Sequence, residues 1–208
     1  MNKNSDYYSQ QATIWDSVYK ENDKLPWTAN PVPQNVLGQF YKKINGKALS
    51  DYGCGDGLLT EFFVNKNMDV TCSDISKEVL VKVRVRFSSI KTIQASNPSE
   101  INNQFDAIIA WGVMHHVDIN EWDFFIEGFK NLLKENGIIL IGGHSKKDSE
   151  FEKGYRISPT TKEKSWALDY FEEKAKNAGL NLVDKGYFPF KEAFTSHTRI
   201  FKYFIFEN

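Results

Sequence analysis

The sequence predicts an α/β fold: a doubly wound, mostly parallel sheet of seven strands, with an antiparallel hairpin at its C-terminal edge and helices ahead of it. Three observations lead there. From Lys47 onward, short apolar runs alternate with helical stretches, the rhythm of a parallel sheet covered by helices on both faces. The glycine-rich stretch "DYGCGDG" joins the first strand to the first of those helices, as the ligand-binding turn of such sheets does. Two aromatic runs, "LVDKGYFPF" and "RIFKYFIFEN", close the chain and read as paired strands.

Bulk properties fit one such domain. The chain has 208 residues, of which 41% are hydrophobic, 14% aromatic and 25% charged. That length supports one sizeable core. Sixteen Phe and five Trp bury enough area to argue against intrinsic disorder. The formal net charge is −1, with Lys and Arg scattered along the chain, so no nucleic-acid partner is expected. Cys54 and Cys72 form no CxxC pair and read as buried, reduced thiols rather than a disulfide or metal site. "MNKNSDYYSQQ" lacks the apolar core of a signal peptide. No stretch approaches the roughly 18 apolar residues of a span, so a cytoplasmic protein without a membrane partner is expected.

Taken in order, Ile14, Trp15, Val18 and Tyr19 fall at helical spacing and predict an amphipathic first helix. "LPWTANPVP" (residues 25–33) carries three prolines and ends it. "PQNVLGQFYKKI" predicts a second helix that stops near Asn45-Gly46. Strands are then expected at "KALSDYG", "DVTCSD", "TIQAS", "FDAIIAW" and "GIILIGGH". Helices are expected between them at 57–67, 76–89, about 98–102 and 120–135, the last stopped by Asn136-Gly137. "VLVKVRVRF" (Val79–Phe87) alternates like a strand. Its place between two strands, after the candidate cap Ser76, argues instead for a helix. Residues 144–165 show no strong period and predict a long functional or mobile loop. "WALDYFEEKAKNAGL" predicts a helix closing at Gly179.

Glycines at 53, 55 and 57 permit tight dihedrals and clear side chains from a ligand's path. A dinucleotide site wants G-x-G-x-x-G, but the third position here is Leu58, and Asp56 sets a negative charge where a pyrophosphate would approach. A phosphate-binding loop is excluded because no GK[ST] follows.

In ordered segments from Lys47 to Ser145, the chain resembles the class I, Rossmann-like S-adenosylmethionine-dependent methyltransferases of small-molecule type. "LSDYGCGDG" is similar to their first motif and "VTCSDIS" to their second. "FDAIIAWGVMHHVD" and "FKNLLKENGIILIGG" resemble the fourth-strand motif and the helix and strand after it. The resemblance implies S-adenosyl-L-methionine as cofactor, with no metal, and a single methyltransferase domain. Within it, 1–46 would be a helical lid, 47–145 the cofactor-binding core, 144–165 a substrate-side loop and 166–208 the C-terminal helix and strands.

By resemblance, Gly53, Cys54 and Gly55 line the methionine part of the cofactor, and Asp51 orients its ammonium group directly or through water. Asp51 read alone is also a turn or helix cap. Asp74 would accept both ribose hydroxyls, its competing reading being a cap for the next helix, and Ile75 would pack on the adenine face. The family's acidic residue after the third strand is missing, leaving Ser96 or Asn97 beside the adenine amino group. Trp111 lines the methyl-transfer pocket or serves simply as a wall. His115 and His116 are candidate general bases or loop-structuring residues. Further metal ligands for them are not found.

Substrate-side candidates are Trp15 and Trp27 in the N-terminal segment, together with His144, Tyr155 and Arg156. Arg156 either pairs a substrate carboxylate or phosphate or is a solvated surface residue. The expected partner is a small-molecule methyl acceptor. Two other classes compete: a non-catalytic cofactor-binding regulatory or partner protein, and an NAD-dependent oxidoreductase, which the glycine spacing disfavours.

Overall fold

Residues 5–21, 31–191 and 197–208 are described by the structure, a computed structural model. Helix α1 spans Ser5–Glu21 and α2 spans Gln34–Tyr41. Then come β1 (Ala48–Tyr52), α3 (Leu58–Val64), β2 (Asp69–Asp74), α4 (Lys77–Arg86), β3 (Lys91–Gln94), β4 (Phe105–Trp111), α5 (Trp122–Leu132) and β5 (Leu133–His144). A small hairpin of β6 (Tyr155–Ile157) and β7 (Lys164–Trp166) precedes α6 (Phe171–Asn177), β8 (Asn181–Lys191) and β9 (Thr198–Glu207).

The main sheet has seven strands in the order β3-β2-β1-β4-β5-β9-β8. Pairings among β1 to β5 are parallel, while β9 pairs antiparallel with both β5 and β8. Strand order reverses between β1 and β4, so a crevice opens there beyond the carboxyl ends of the strands. Both faces of the central strands are buried. Leu49, Ile109 and Leu140 meet Phe40 and Phe63 on one side, and Ile108, Ile139 and Ile141 meet Trp122, Phe125 and Phe129 on the other. Such two-sided burial explains the continuous apolar runs of β4 and β5.

The alternating segment is a helix, as expected. Val79, Leu80 and Val83 are buried while Val81 and Val85 are exposed, a helical stripe laid through an alternating sequence. Its start is fixed by capping: the Ser76 hydroxyl accepts from Val79 N at 3.3 Å.

Several boundaries differ from expectation. Helix α2 ends at Tyr41 rather than near Gly46, and α3 and α4 are shorter than 57–67 and 76–89. The turn near 98–102 is a short 3-10 helix, Pro98–Glu100, because Pro98 supplies a first turn and the backbone becomes extended at Ile101. Helix α5 stops at Leu132, since Leu133 already pairs with Phe105 and the register then shifts before Ile138. The stretch 144–165 holds the β6–β7 hairpin; strands of three residues are too short to show a period. In the last helical segment, the first turn is 3-10 (Leu168–Tyr170) before α6. The proline break at 25–33 falls mostly outside the described residues.

Candidate functional site

A cavity of about 440 Å³ opens at the carboxyl end of the parallel strands. Its floor is drawn from consecutive strand ends: Gly53, Cys54 and Gly55 after β1, Asp74 and Ile75 at β2, Ser96 after β3, and Trp111 at β4. The β1–α3 turn is tied to β2, since Gly53 N and Cys54 N both donate to Ser73 O, at 2.7 and 3.0 Å. Gly53 has φ +67°, and a Cβ there would lie 2.2 Å from Val113 Cγ2. Gly53 thus serves both a left-handed turn and a close approach of the loop after β4.

Asp74 is buried, and both its oxygens face backbone. Oδ2 accepts from Gly55 N at 3.0 Å and Oδ1 from Ser76 N at 2.9 Å. Burial pushes its pKa up to about 6, against the pull of those hydrogen bonds. Each carboxylate oxygen still has a lone pair for a further donor.

Three histidines meet on the wall further along. His115 and His116 rings are 4.1 Å apart, and His115 and His144 rings 4.7 Å apart. Burial is the main force lowering all three pKa values, to about 3 for His116 and about 4 for His144. All three rings are therefore neutral at neutral pH. Nδ1 of His115 and of His116 is buried with no hydrogen-bond partner among the described residues, and His144 Nδ1 lies 3.8 Å from Asp148 Oδ2. The loop carrying the first two is pinned by Trp122, whose Nε1 donates to Met114 O and Val117 O, and by Trp166 N donating to His115 O at 2.8 Å. Among the described residues, no group of His, Cys, Asp and Glu has the arrangement of a metal site.

Helix α1 lies across the cavity and contributes Tyr8, Gln11, Trp15 and Tyr19 to its wall, residues at spacings that share one helical face. The Trp15 ring is 5.0 Å from His116. Asp16 fastens the helix to the start of α4 by accepting from Ser76 Oγ at 2.6 Å and Glu78 N at 3.2 Å. Tyr7 donates to Glu163 beside β7 at 2.8 Å. Arg156, Arg199, Phe188 and Phe201 complete the far end.

Three candidates sit off the cavity wall and one lies outside the described residues. Asp51 does not line the cavity; it is buried, and its Oδ2 accepts from Thr60 Oγ1 at 2.5 Å, steadying the first turn of α3. Burial raises its pKa to about 6. Asn97 is also off the wall: its Oδ1 accepts from Ser99 N and Oγ, and its amide donates to Glu100, which makes it the cap of the 3-10 turn. Tyr155 does not line the cavity and packs its ring 5.5 Å from Trp166. Trp27 lies outside the described residues. Sequence reasoning missed Tyr19, Arg199, Phe188 and Phe201 as wall residues. The helical face of α1 held a signal for the first; the others reach the site only through the pairing of β9 with β5 and β8.

Residues 50–139 match the family described as methyltransferase domain. A ubiquinone biosynthesis O-methyltransferase from Pelagibacter ubique is 30% identical over 120 residues, covering 53% of this chain and 49% of the relative. The chain thus spans about half the length of the curated relatives it matches. A S-adenosylmethionine-dependent methyltransferase from Anabaena variabilis superposes with TM-score 0.77 at 16% identity, over 97% of this chain and 95% of the other. The 1,6-didemethyltoxoflavin-N1-methyltransferase of Burkholderia thailandensis, solved with its substrate and S-adenosylhomocysteine, gives 0.76 at 16% identity over 100% and 92%. The fold is that of the class I methyltransferases.

Proposed function

We propose that the chain is a S-adenosylmethionine-dependent methyltransferase that acts on a small-molecule acceptor held in the same cavity. One observation carries the reading: the Asp74 carboxylate and the β1–α3 turn meet in a crevice at the point where strand order reverses. These residues fit the cofactor. The turn offers bare backbone, Asp74 retains acceptor capacity for two ribose hydroxyls, and half-buried Ile75 gives an apolar face for adenine. Ser96 and the backbone of Ala95 line the position expected for the adenine edge. When bound, the cofactor supplies an electrophilic methyl group on a sulfonium, open to in-line displacement.

The protein's part is positioning, which alone supplies much of the rate of such a displacement. Trp111, wedged beside Gly142 and 5.7 Å from the Phe201 ring, forms a rigid wall, and its π face suits a cation. His116 lies on the wall with His115 and His144 beside it; held neutral by burial and a weak base there, it orients an acceptor hydroxyl or amine by hydrogen bonding rather than by taking its proton. Helix α1 acts as the lid that excludes water, with residues 144–165 as the opposite wall. Cys54 and Cys72 are both free thiols, in keeping with a cytoplasmic setting. Among the described residues, no helix is long and apolar enough to cross a membrane.

A crystal structure grown with S-adenosylhomocysteine tests the reading. The ribose is expected on Asp74 with the sulfur directed toward Trp111 and the histidines. A molecule bound elsewhere, or an empty cavity at saturating ligand, would contradict it.

A further inference from the structure

We propose that the methyl acceptor is an aromatic carboxylic acid whose carboxylate is gripped by Arg156 and Arg199, in the place that Glu150 now fills. This rests on the methyltransferase reading of the same cavity. Both arginines line the far end of the cavity, beside His144 and Phe201. Arg199 is only 6% exposed, an unusual depth for a guanidinium, which stays buried only beside a carboxylate or similar anion.

Glu150 supplies that anion from outside. Its Oε2 forms an ion pair with Arg199 Nη1 at 2.7 Å and accepts a hydrogen bond from Arg156 Nη1. One carboxylate oxygen therefore serves two guanidiniums. Glu150 itself is 40% exposed, sits on the 3-10 turn Ser149–Phe151, and does not line the cavity. Its side chain can swing into solvent at little cost. Arg156 Nε, meanwhile, is buried with no hydrogen-bond partner among the described residues.

Asp148 cannot take Glu150's part. It is buried and already accepts from Glu150 N at 3.1 Å, contacts His197 Nε2 at 3.1 Å, and lies 3.7 Å from Arg199 Nη1. A carboxylate entering from the cavity side would present two oxygens to two guanidinium forks, the geometry that arginine matches best.

Charge favours a monoanion. Among the described residues, Arg156 and Arg199 balance Asp148 and Glu150, so one incoming carboxylate that displaces Glu150 leaves that balance unchanged. A phosphate dianion would leave it with excess negative charge beside buried Asp148. The body of the acceptor faces rings: Phe201 lies 4.8 Å from His144 and 5.7 Å from Trp111, and Phe188 lies 6.1 Å from Trp111. Flat aromatic groups pack well against such edges and faces.

Calorimetric titration of the protein saturated with S-adenosylhomocysteine, using benzoate, benzamide and phenyl phosphate, tests the inference. Benzoate is expected to bind about tenfold tighter than benzamide, the scale of one charge-assisted contact, and tighter than phenyl phosphate. Arg156→Gln, at a half-buried position that folding tolerates, should erase the preference, and Arg199→Lys should reduce it. Glu150→Gln, which removes the competitor, should strengthen benzoate several-fold. Equal binding of benzoate and benzamide, no binding of benzoate, tighter phenyl phosphate, or weaker benzoate in Glu150→Gln would each overturn the proposal while leaving the cofactor reading intact. Failure of S-adenosylhomocysteine to bind at all would overturn that reading, and the inference with it.

Discussion

At one end of the cavity the wall comes from strand ends and the turns beside them: Gly53 to Gly55, Asp74 with Ile75, and Ser96. At the other end it is assembled from Trp15, His116, Arg156, Arg199 and Phe201, residues scattered over most of the chain. The first end is held by backbone hydrogen bonds between neighbouring strands. The second is held by side chains, through Asp16 on Ser76, Tyr7 on Glu163 and Glu150 on two arginines. A ligand common to a whole family needs the rigid end, whereas an acceptor particular to one protein is recognised by the end that side-chain changes can reshape.

The sharpest way to break this contrast is at Asp74. Asp74→Ala removes the acceptor for two hydroxyls and is expected to weaken S-adenosylhomocysteine binding about 100-fold, two hydrogen bonds to a charged group. Calorimetry reads it, and an unchanged affinity would remove Asp74 from the site.

Gly53→Ala comes next. A side chain at φ +67° costs about 1–3 kcal/mol, and its Cβ would press on Val113. Thermal unfolding should show a loss of several degrees, with cofactor affinity falling in parallel; an unshifted melt would show that the turn is soft rather than rigid.

Trp15→Ala probes the side-chain end. It removes the ring facing His116 and should raise the acceptor KM several-fold while leaving S-adenosylhomocysteine affinity within about threefold. Equal losses in both would dissolve the distinction between the two ends.

The smallest effect is on pH. In the folded chain, His116 and His144 titrate near 3 and 4, and His115 well below its ordinary value. The unfolded chain takes up those protons near 6.5, so their contribution to stability is intact above that pH and is lost on acidification toward 4. Asp51 and Asp74 work against this. Raised to about 6 when folded, they bind protons before the unfolded chain does and add stability as pH falls below 6. The histidines outnumber those two carboxyls, and Asp148 and Glu150, whose pKa values lie low in the folded chain, add to them in acid, so stability is expected to fall between pH 6 and 4.5. Urea unfolding at several pH values should show it, and His116→Gln should flatten it; an unchanged slope in that variant would mean His116 is not held neutral.

The same contrast marks what the sequence made legible. The parallel core could be read because β4 and β5 are apolar runs and α4 starts at the Ser76 cap, whose effect is local. The cavity floor followed, since strand ends and turns are themselves sequence features. Asp51 and Asn97 each admitted two readings in sequence, ligand group or cap, and their bonds to Thr60 and Ser99 could be seen only in the fold. The β6–β7 hairpin was too short to show a period. Arg199 reaches the cavity through its pairing with Phe190 of β8, a long-range fact with no local signature.

The proposed S-adenosylmethionine site, formed by the glycine turn and Asp74, is open to calorimetric titration of the purified protein with S-adenosylmethionine and, separately, S-adenosylhomocysteine. Saturable binding of both at one site per chain, lost in Asp74→Ala and unaffected by NAD, is the result predicted; absence of binding by either would contradict it.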